Sequence, residues 1–97
     1  MTMMTATELL HLTADVVEVL RMSLLAAEAM PQLTAINNAA RGLIRYLDQL
    51  KKDESLKSEI HRRADIYCSE LLDIAHEAGR EYEVLLKQSF PNNPAIH

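Results

Sequence analysis

Apolar residues recur every three or four positions through most of this chain, and that spacing is what most limits its fold. The clearest run steps along residues 33–50 without a miss: Leu33, Ile36, Ala40, Leu43, Leu47 and Leu50. Such spacing places every member on one face of an α-helix. Only 2 glycines and 3 prolines interrupt the 97 residues, too few for the turns of an all-β fold. The sequence therefore predicts an all-α protein.

Two further stretches show the same period, so we expect a three-helix chain. The first helix is predicted over residues 8–29, opened by a capping box from Thr5 to Glu8. Its predicted apolar face comprises Leu9, Leu12, Val16, Val19, Leu20, Leu24 and Ala27. The third helix is predicted over residues 54–89, with the face Leu56, Ile60, Ala64, Tyr67, Leu71, Ile74, Ala78, Tyr82 and Leu85. The expected architecture is a short helical hairpin followed by one long C-terminal helix.

The helix boundaries rest on weaker signals. Pro31 disfavours helical backbone at Met30, so the second helix is predicted over residues 33–51. The run of charges from Lys51 to Glu54 favours a tight turn before the third helix. Because no glycine or proline enforces that turn, one continuous bent helix is the alternative. Gly42 is expected to permit close helix packing and Gly79 to kink the third helix.

The length and composition of the chain are those of a small globular protein. We expect one domain over residues 1–97, with flexible segments at residues 1–6 and 90–97. A net charge of −4 lacks the dominant basic field of general nucleic-acid binding, so no nucleic-acid partner is expected. The single cysteine, Cys68, cannot form an intrachain disulfide. We find no signal peptide and no apolar run long enough to span a bilayer, which favours the cytoplasm.

Two carboxylate–histidine pairs have the three-residue spacing with which helical bundles hold metal ions. They are Glu8 with His11 and Asp73 with His76. Metal ligands in bundles point into the core, whereas both pairs lie on the polar side of their predicted helices. We therefore interpret them as surface pairs and expect no metal, no cofactor and no catalytic residue.

A short acidic segment supplies the alternative, enzymatic hypothesis. The residues from Glu70 to Asp73, with the sequence Glu-Leu-Leu-Asp, resemble half of an acidic motif of helical nucleotide pyrophosphohydrolases. That resemblance implies magnesium held by Glu70 and Asp73 and hydrolysis of a nucleotide. The family's second motif, a pair of upstream acids, has no counterpart here because Glu54 and Glu59 are spaced differently.

The first helix carries more apolar surface than one chain of three helices covers easily. One stripe is polar at first and turns apolar after Glu18: Glu8, His11, Asp15, Glu18, Met22, Leu25 and Ala29. A helix that is apolar all round is normally buried. We therefore expect a second copy or a foreign protein to cover this side. Uncovered surface is also expected at the end of the long third helix.

These observations favour a protein that works by binding another protein, in a homodimeric helical bundle. The predicted type is a small regulator, inhibitor or adaptor, as among anti-activators, phage inhibitors of host defence and secretion chaperones. This comparison rests on size and helical class. The partner's identity stays open, and so does the choice between self-association and a foreign partner. The predicted interface residues are Leu20, Met22, Leu24, Leu25, Ala29, Tyr82, Leu85 and Leu86.

Overall fold

The computed structural model describes residues 4–89 and contains three α-helices, as the sequence predicts. They are α1 (Ala6–Ala26), α2 (Met30–Lys52) and α3 (Ser58–Ser89). Residues 27–29 and 53–57 connect them, so α2 and α3 are separate helices and not one bent helix. Within the described residues, no helix is both long enough and apolar enough to cross a membrane.

The start of α1 is fixed by the predicted cap. The Glu8 backbone N–H donates to the Thr5 hydroxyl oxygen at 3.1 Å, which satisfies one of the open donors of the first turn. The Glu8 carboxylate accepts from the Thr5 hydroxyl at 3.0 Å. In a full capping box it would instead accept from the backbone N–H of Thr5. Ala6 already belongs to α1. Residues 1–3 and 90–97, the rest of the segments predicted to be flexible, lie outside the described residues.

The start of α2 differs from the prediction, because the helix begins at Met30 and not at Leu33. Pro31 occupies the first turn, where a missing backbone N–H costs nothing and the fixed φ suits the helix. The Gln32 side chain adds a cap by accepting from the backbone N–H groups of Glu28 at 2.7 Å and Ala29 at 3.0 Å. Pro31 therefore opens the helix and does not delay it.

The core lies where the predicted faces of α2 and α3 meet, and α1 covers one side of it. Most of the predicted positions on α2 and α3 are buried: Leu33, Ile36, Ala40, Leu47, Ala64, Leu71, Ile74 and Ala78. The face predicted for α1 is partly wrong, since Leu12 and Val19 are exposed. α1 is instead buried along a neighbouring stripe that includes Leu10, Thr13, Val17 and Leu20.

The two long helices share the most extensive interface of the bundle, and α1 is held mainly by α3. Small buried side chains on α3, at Ala64, Ala75 and Ala78, let its neighbours approach closely. Asn37 sets the relative position of α2 and α3, because its side-chain amide donates to the Ala75 carbonyl oxygen at 3.0 Å.

Replacing Gly79 by alanine is expected to stabilise the protein by about 0.5–1 kcal/mol. Gly79 lies inside the unbroken helix α3, and a Cβ atom added there meets no heavy atom within 4 Å. Alanine thus lowers the entropy of the unfolded chain without a clash. Urea denaturation of Gly79→Ala and of the wild type measures the difference. A destabilised variant would show that Gly79 has a packing role that the structure does not contain.

Candidate functional site

The outward side of α1 exposes large apolar side chains along its whole length. The exposed fractions are 46% for Leu12, 58% for Val19, 64% for Met22 and 89% for Leu25. We call these four residues the outer face of α1. Within residues 4–89 no helix packs over them, so they remain in contact with water. An apolar surface of this kind marks an interaction site more often than a simple monomer surface.

Leu12 and Val19 of the outer face are exposed because α1 has two apolar stripes and the bundle buries only one. Met22 and Leu25 continue the stripe that is polar as far as Glu18. The buried stripe follows Leu10, Thr13, Val17, Leu20 and Leu24, and the second follows Leu12, Val16, Val19, Ser23 and Ala26. Both step by three and four residues, so both have the period of a helical seam. Thr13 fits the buried stripe because its hydroxyl donates to the Leu9 carbonyl oxygen at 2.7 Å.

A groove of about 500 Å³ runs between α1 and α2 beside the second stripe. Its floor is formed by Leu20 and Ile36, which belong to the core. Short side chains form most of its walls, namely Ser23, Ala26, Ala35 and Ala39. Since α1 and α2 form the smallest helix–helix interface of the bundle, the groove stays open along the side away from α3.

The predicted interface residues fall into two groups in the structure. Met22, Leu25 and Ala29 are exposed near the α1–α2 connection. Leu20 is buried in the core, and Leu24, Tyr82, Leu85 and Leu86 are half-buried. Tyr82 and Leu85 pack against the core cluster, so the end of α3 is better covered than its length suggested. Sequence reasoning missed the exposure of Leu12, Val19 and Tyr46, and a search for a second seam on each helix would have found all three.

The structure does not bring the two carboxylate–histidine pairs together. Glu8, His11, Asp73 and His76 are all exposed, the first pair on α1 and the second on α3. Among residues 4–89, no three histidine, cysteine or acidic side chains are grouped so that they could hold a metal ion.

Glu70 and Asp73, the acids of the enzymatic hypothesis, line a shallow polar groove of about 310 Å³ between α1 and α3. Arg21 on α1 faces Glu70, with 3.7 Å between the guanidinium nitrogen and the carboxylate oxygen. This arrangement uses Glu70 as the acceptor of an ion pair that joins two helices. No feature of the groove favours nucleotide hydrolysis, because Mg²⁺ needs clustered oxygen ligands.

Cys68 is a half-buried thiol between α2 and α3. Its Sγ atom lies 4.0 Å from a carboxylate oxygen of Asp48. Burial raises the pKa of the Cys68 thiol, and the neighbouring Lys51 ammonium opposes that effect. The Lys51 ammonium lies 3.2 Å from Asp65, and this hydrogen bond raises the pKa of Lys51. A protonated thiol is a poor nucleophile, so the site gives no reason to assign Cys68 a chemical role.

No family model, no curated protein and no solved structure matches this chain.

Proposed function

We propose that this protein works as a protein-binding module whose docking surface is the outer face of α1. The observation that carries the proposal is the exposure of Leu12, Val19, Met22 and Leu25 on one helix. Removal of apolar surface from water contributes roughly 25 cal/mol per Å². A partner that covers these side chains therefore gains its binding free energy from surface that α1 already presents.

The chemistry of the face suits recognition of another helix. Met22 has a flexible thioether side chain that adapts to differently shaped partners. Arg21 and Glu28 are both exposed near Met22 and Leu25 and supply a polar rim. Buried apolar anchors inside a polar rim are the usual arrangement of binding hot spots. An amphipathic helix laid along α1 over Met22 and Leu25 is the partner geometry that fits best.

The proposed role is that of a small helical regulator, inhibitor or adaptor in the cytoplasm. A module of one domain with a single docking surface suits those roles, because its effect comes from occupying a site on a larger protein.

Aspartate at Met22 or Leu25 is expected to lower partner recovery about tenfold or more, because a buried unpaired carboxylate costs several kcal/mol. The full chain serves as bait in native lysate from its source, and quantitative mass spectrometry measures the captured proteins. Matched controls are Leu72→Asp and Val84→Asp, which replace exposed apolar residues of α3. Circular dichroism confirms that each variant stays helical.

Equal recovery of every captured protein by Met22→Asp, Leu25→Asp and the two α3 controls would contradict the proposal. Loss of helicity in the α1 variants alone would show that Met22 and Leu25 belong to the core of the chain and not to a docking surface.

A further inference from the structure

The second apolar stripe of α1 has a counterpart on α2. Positions 35, 39, 42, 46 and 49 of α2 repeat at the same alternating spacing of four and three: Ala35, Ala39, Gly42, Tyr46 and Gln49. The first two line the α1–α2 groove, and the other three line a neighbouring recess of about 330 Å³. Tyr46 is 66% exposed. Both helices of the hairpin thus present an uncovered seam beside one groove.

The two seams are complementary in size at their middle, where Val16 and Val19 of α1 lie at the height of Ala39 and Gly42 of α2. Towards the connection both seams carry small side chains, and away from it both carry large ones, Leu12 and Tyr46. A Cβ atom added at Gly42 meets nothing within 4 Å, so the chain itself leaves that space empty. In helix packing, large side chains of one helix fill the spaces beside small side chains of the other. The α1 seam therefore fits against an α2 seam.

The two helices are also opposite in charge. α1 carries three carboxylates against one arginine, whereas α2 carries four bases against one carboxylate. Glu8 and Asp15 are exposed beside the α1 seam, and Arg45 lines the recess beside the α2 seam. Arg41 lies on the other side of α2, where it lines a recess against α3. No ion pair between residues 4 and 89 includes Glu8, Asp15 or Arg45. The acidic edge and the basic edge are therefore both available to a second molecule.

The opposite charges lie at the same height in the hairpin. At about 1.5 Å per residue, Asp15 and Glu8 lie about 20 and 30 Å along α1 from Glu28 in the connection, and Arg45 lies about 26 Å along α2. Two copies related by a two-fold axis along the helices would face acid with base. A perpendicular axis would place the acids opposite the connection end, which lacks the bases.

We infer that the α1–α2 groove is occupied by a second copy of this chain, in a parallel two-fold dimer that packs α1 of each copy on α2 of the other. This inference rests on the proposed function, since the seam of α1 and the outer face of α1 share Leu12 and Val19. Two helices side by side, each about 10 Å wide and about 30 Å long, offer on the order of 600 Å². Stable complexes bury roughly 600–1,000 Å² per partner, so the face is at the lower end of the size that a stable dimer needs.

The mass in solution tests whether the second copy is there. Light scattering after size exclusion is expected to give twice 11.0 kDa for the full chain at micromolar concentration. Val19→Asp should raise the dimer dissociation constant about a hundredfold or more, because two-fold symmetry buries the new carboxylate twice. Val84→Asp, an exposed site on α3, should leave the mass unchanged.

Charge reversal tests the arrangement of the helices. One variant reverses the α1 edge with Asp15→Lys, and the other reverses the α2 edge with Arg45→Glu. Each alone should weaken self-association about tenfold or more, because each places like charges together at both symmetric sites. An equimolar mixture should form a heterodimer, since every α1 edge then faces an α2 edge of opposite sign. Glu81→Lys on α3 is the matched control.

Several results would overturn the inference. A mass of 11.0 kDa that persists at high concentration leaves no second copy in the groove. If such a monomer loses thermal stability in Val19→Asp, another segment of its own chain covers the seam; if it does not, a foreign partner remains as the occupant. A dimer that ignores both charge reversals has a different arrangement. Partner capture that depends on Met22 and Leu25 in a monomeric protein would preserve the proposed function and remove the dimer alone.

Discussion

Replacing Leu71 by aspartate is expected to remove a large part of the stability of the fold at room temperature. The Leu71 side chain has no exposed surface and lies in the core where α2 and α3 meet. An unpaired carboxylate there costs roughly 3–5 kcal/mol or more, whereas a domain of this length has a total stability of about 5–15 kcal/mol. Far-UV circular dichroism and thermal unfolding measure the loss of helix.

The neighbouring residue supplies the control for Leu71→Asp. Leu72 is 40% exposed, so Leu72→Asp places the same carboxylate partly in water and should retain the wild-type helicity. If Leu71→Asp melts at the wild-type temperature, α3 is rotated relative to the face on which the core is built.

Replacing Ala75 by leucine is expected to destabilise the protein by about 1–3 kcal/mol, because overpacking forces neighbouring backbones apart. Ala75 is fully buried, and its carbonyl oxygen accepts the hydrogen bond from Asn37 on α2. Three added carbon atoms would push α2 away and lengthen that bond. The midpoint of urea denaturation measures the change.

His76→Leu is the matched control for Ala75→Leu, because His76 is exposed at the next position of α3. It introduces the same side chain and should change the midpoint little. An Ala75→Leu variant as stable as the wild type would mean that the space between α2 and α3 is larger than the structure has it.

The helical periods of α2 and α3 predicted their buried faces well, because one face of each helix is clearly more apolar than the other. On α2 the seam that begins at Leu33 consists mostly of large apolar residues, while its outer side carries charged and small ones. Burial of the larger apolar face is then the only favourable choice. On α1 the contrast is lost, because two seams of similar apolar character run side by side.

That ambiguity explains why the face predicted for α1 differs in part from the face that the bundle buries. Leu12 and Val19 have side chains as apolar as those of Leu10 and Val17, so periodicity alone did not decide which pair the bundle buries. The choice depends on the path of α3, which no local pattern reports. The excess apolar surface near Met22 and Leu25 was nevertheless predictable, since no polar residue interrupts that stripe after Glu18.

Helix boundaries also depended on contacts that sequence rules do not include. Pro31 suits the first turn of a helix as well as the residue after one. Gln32 favours the start of a helix at Met30, because its side chain accepts from two backbone N–H groups of the preceding connection. The end of α2 after Lys52 also depends on a side-chain contact, since the Asp53 carboxylate accepts from both the hydroxyl and the backbone N–H of Ser55.

Because α1 is held by a smaller interface than α2 and α3, the free energy of local unfolding differs between α1 and the other two helices. α2 and α3 hold each other through their long common interface, whereas α1 is held through one stripe, mainly by α3. Proteins open locally where the fewest apolar contacts must be broken, so α1 is the segment that separates most readily from the rest. A ligand that binds only the closed arrangement stabilises it by mass action. If a partner binds α1 as proposed, association and the local folding of α1 are thermodynamically linked, and the concentration of that partner sets how often α1 is found in place.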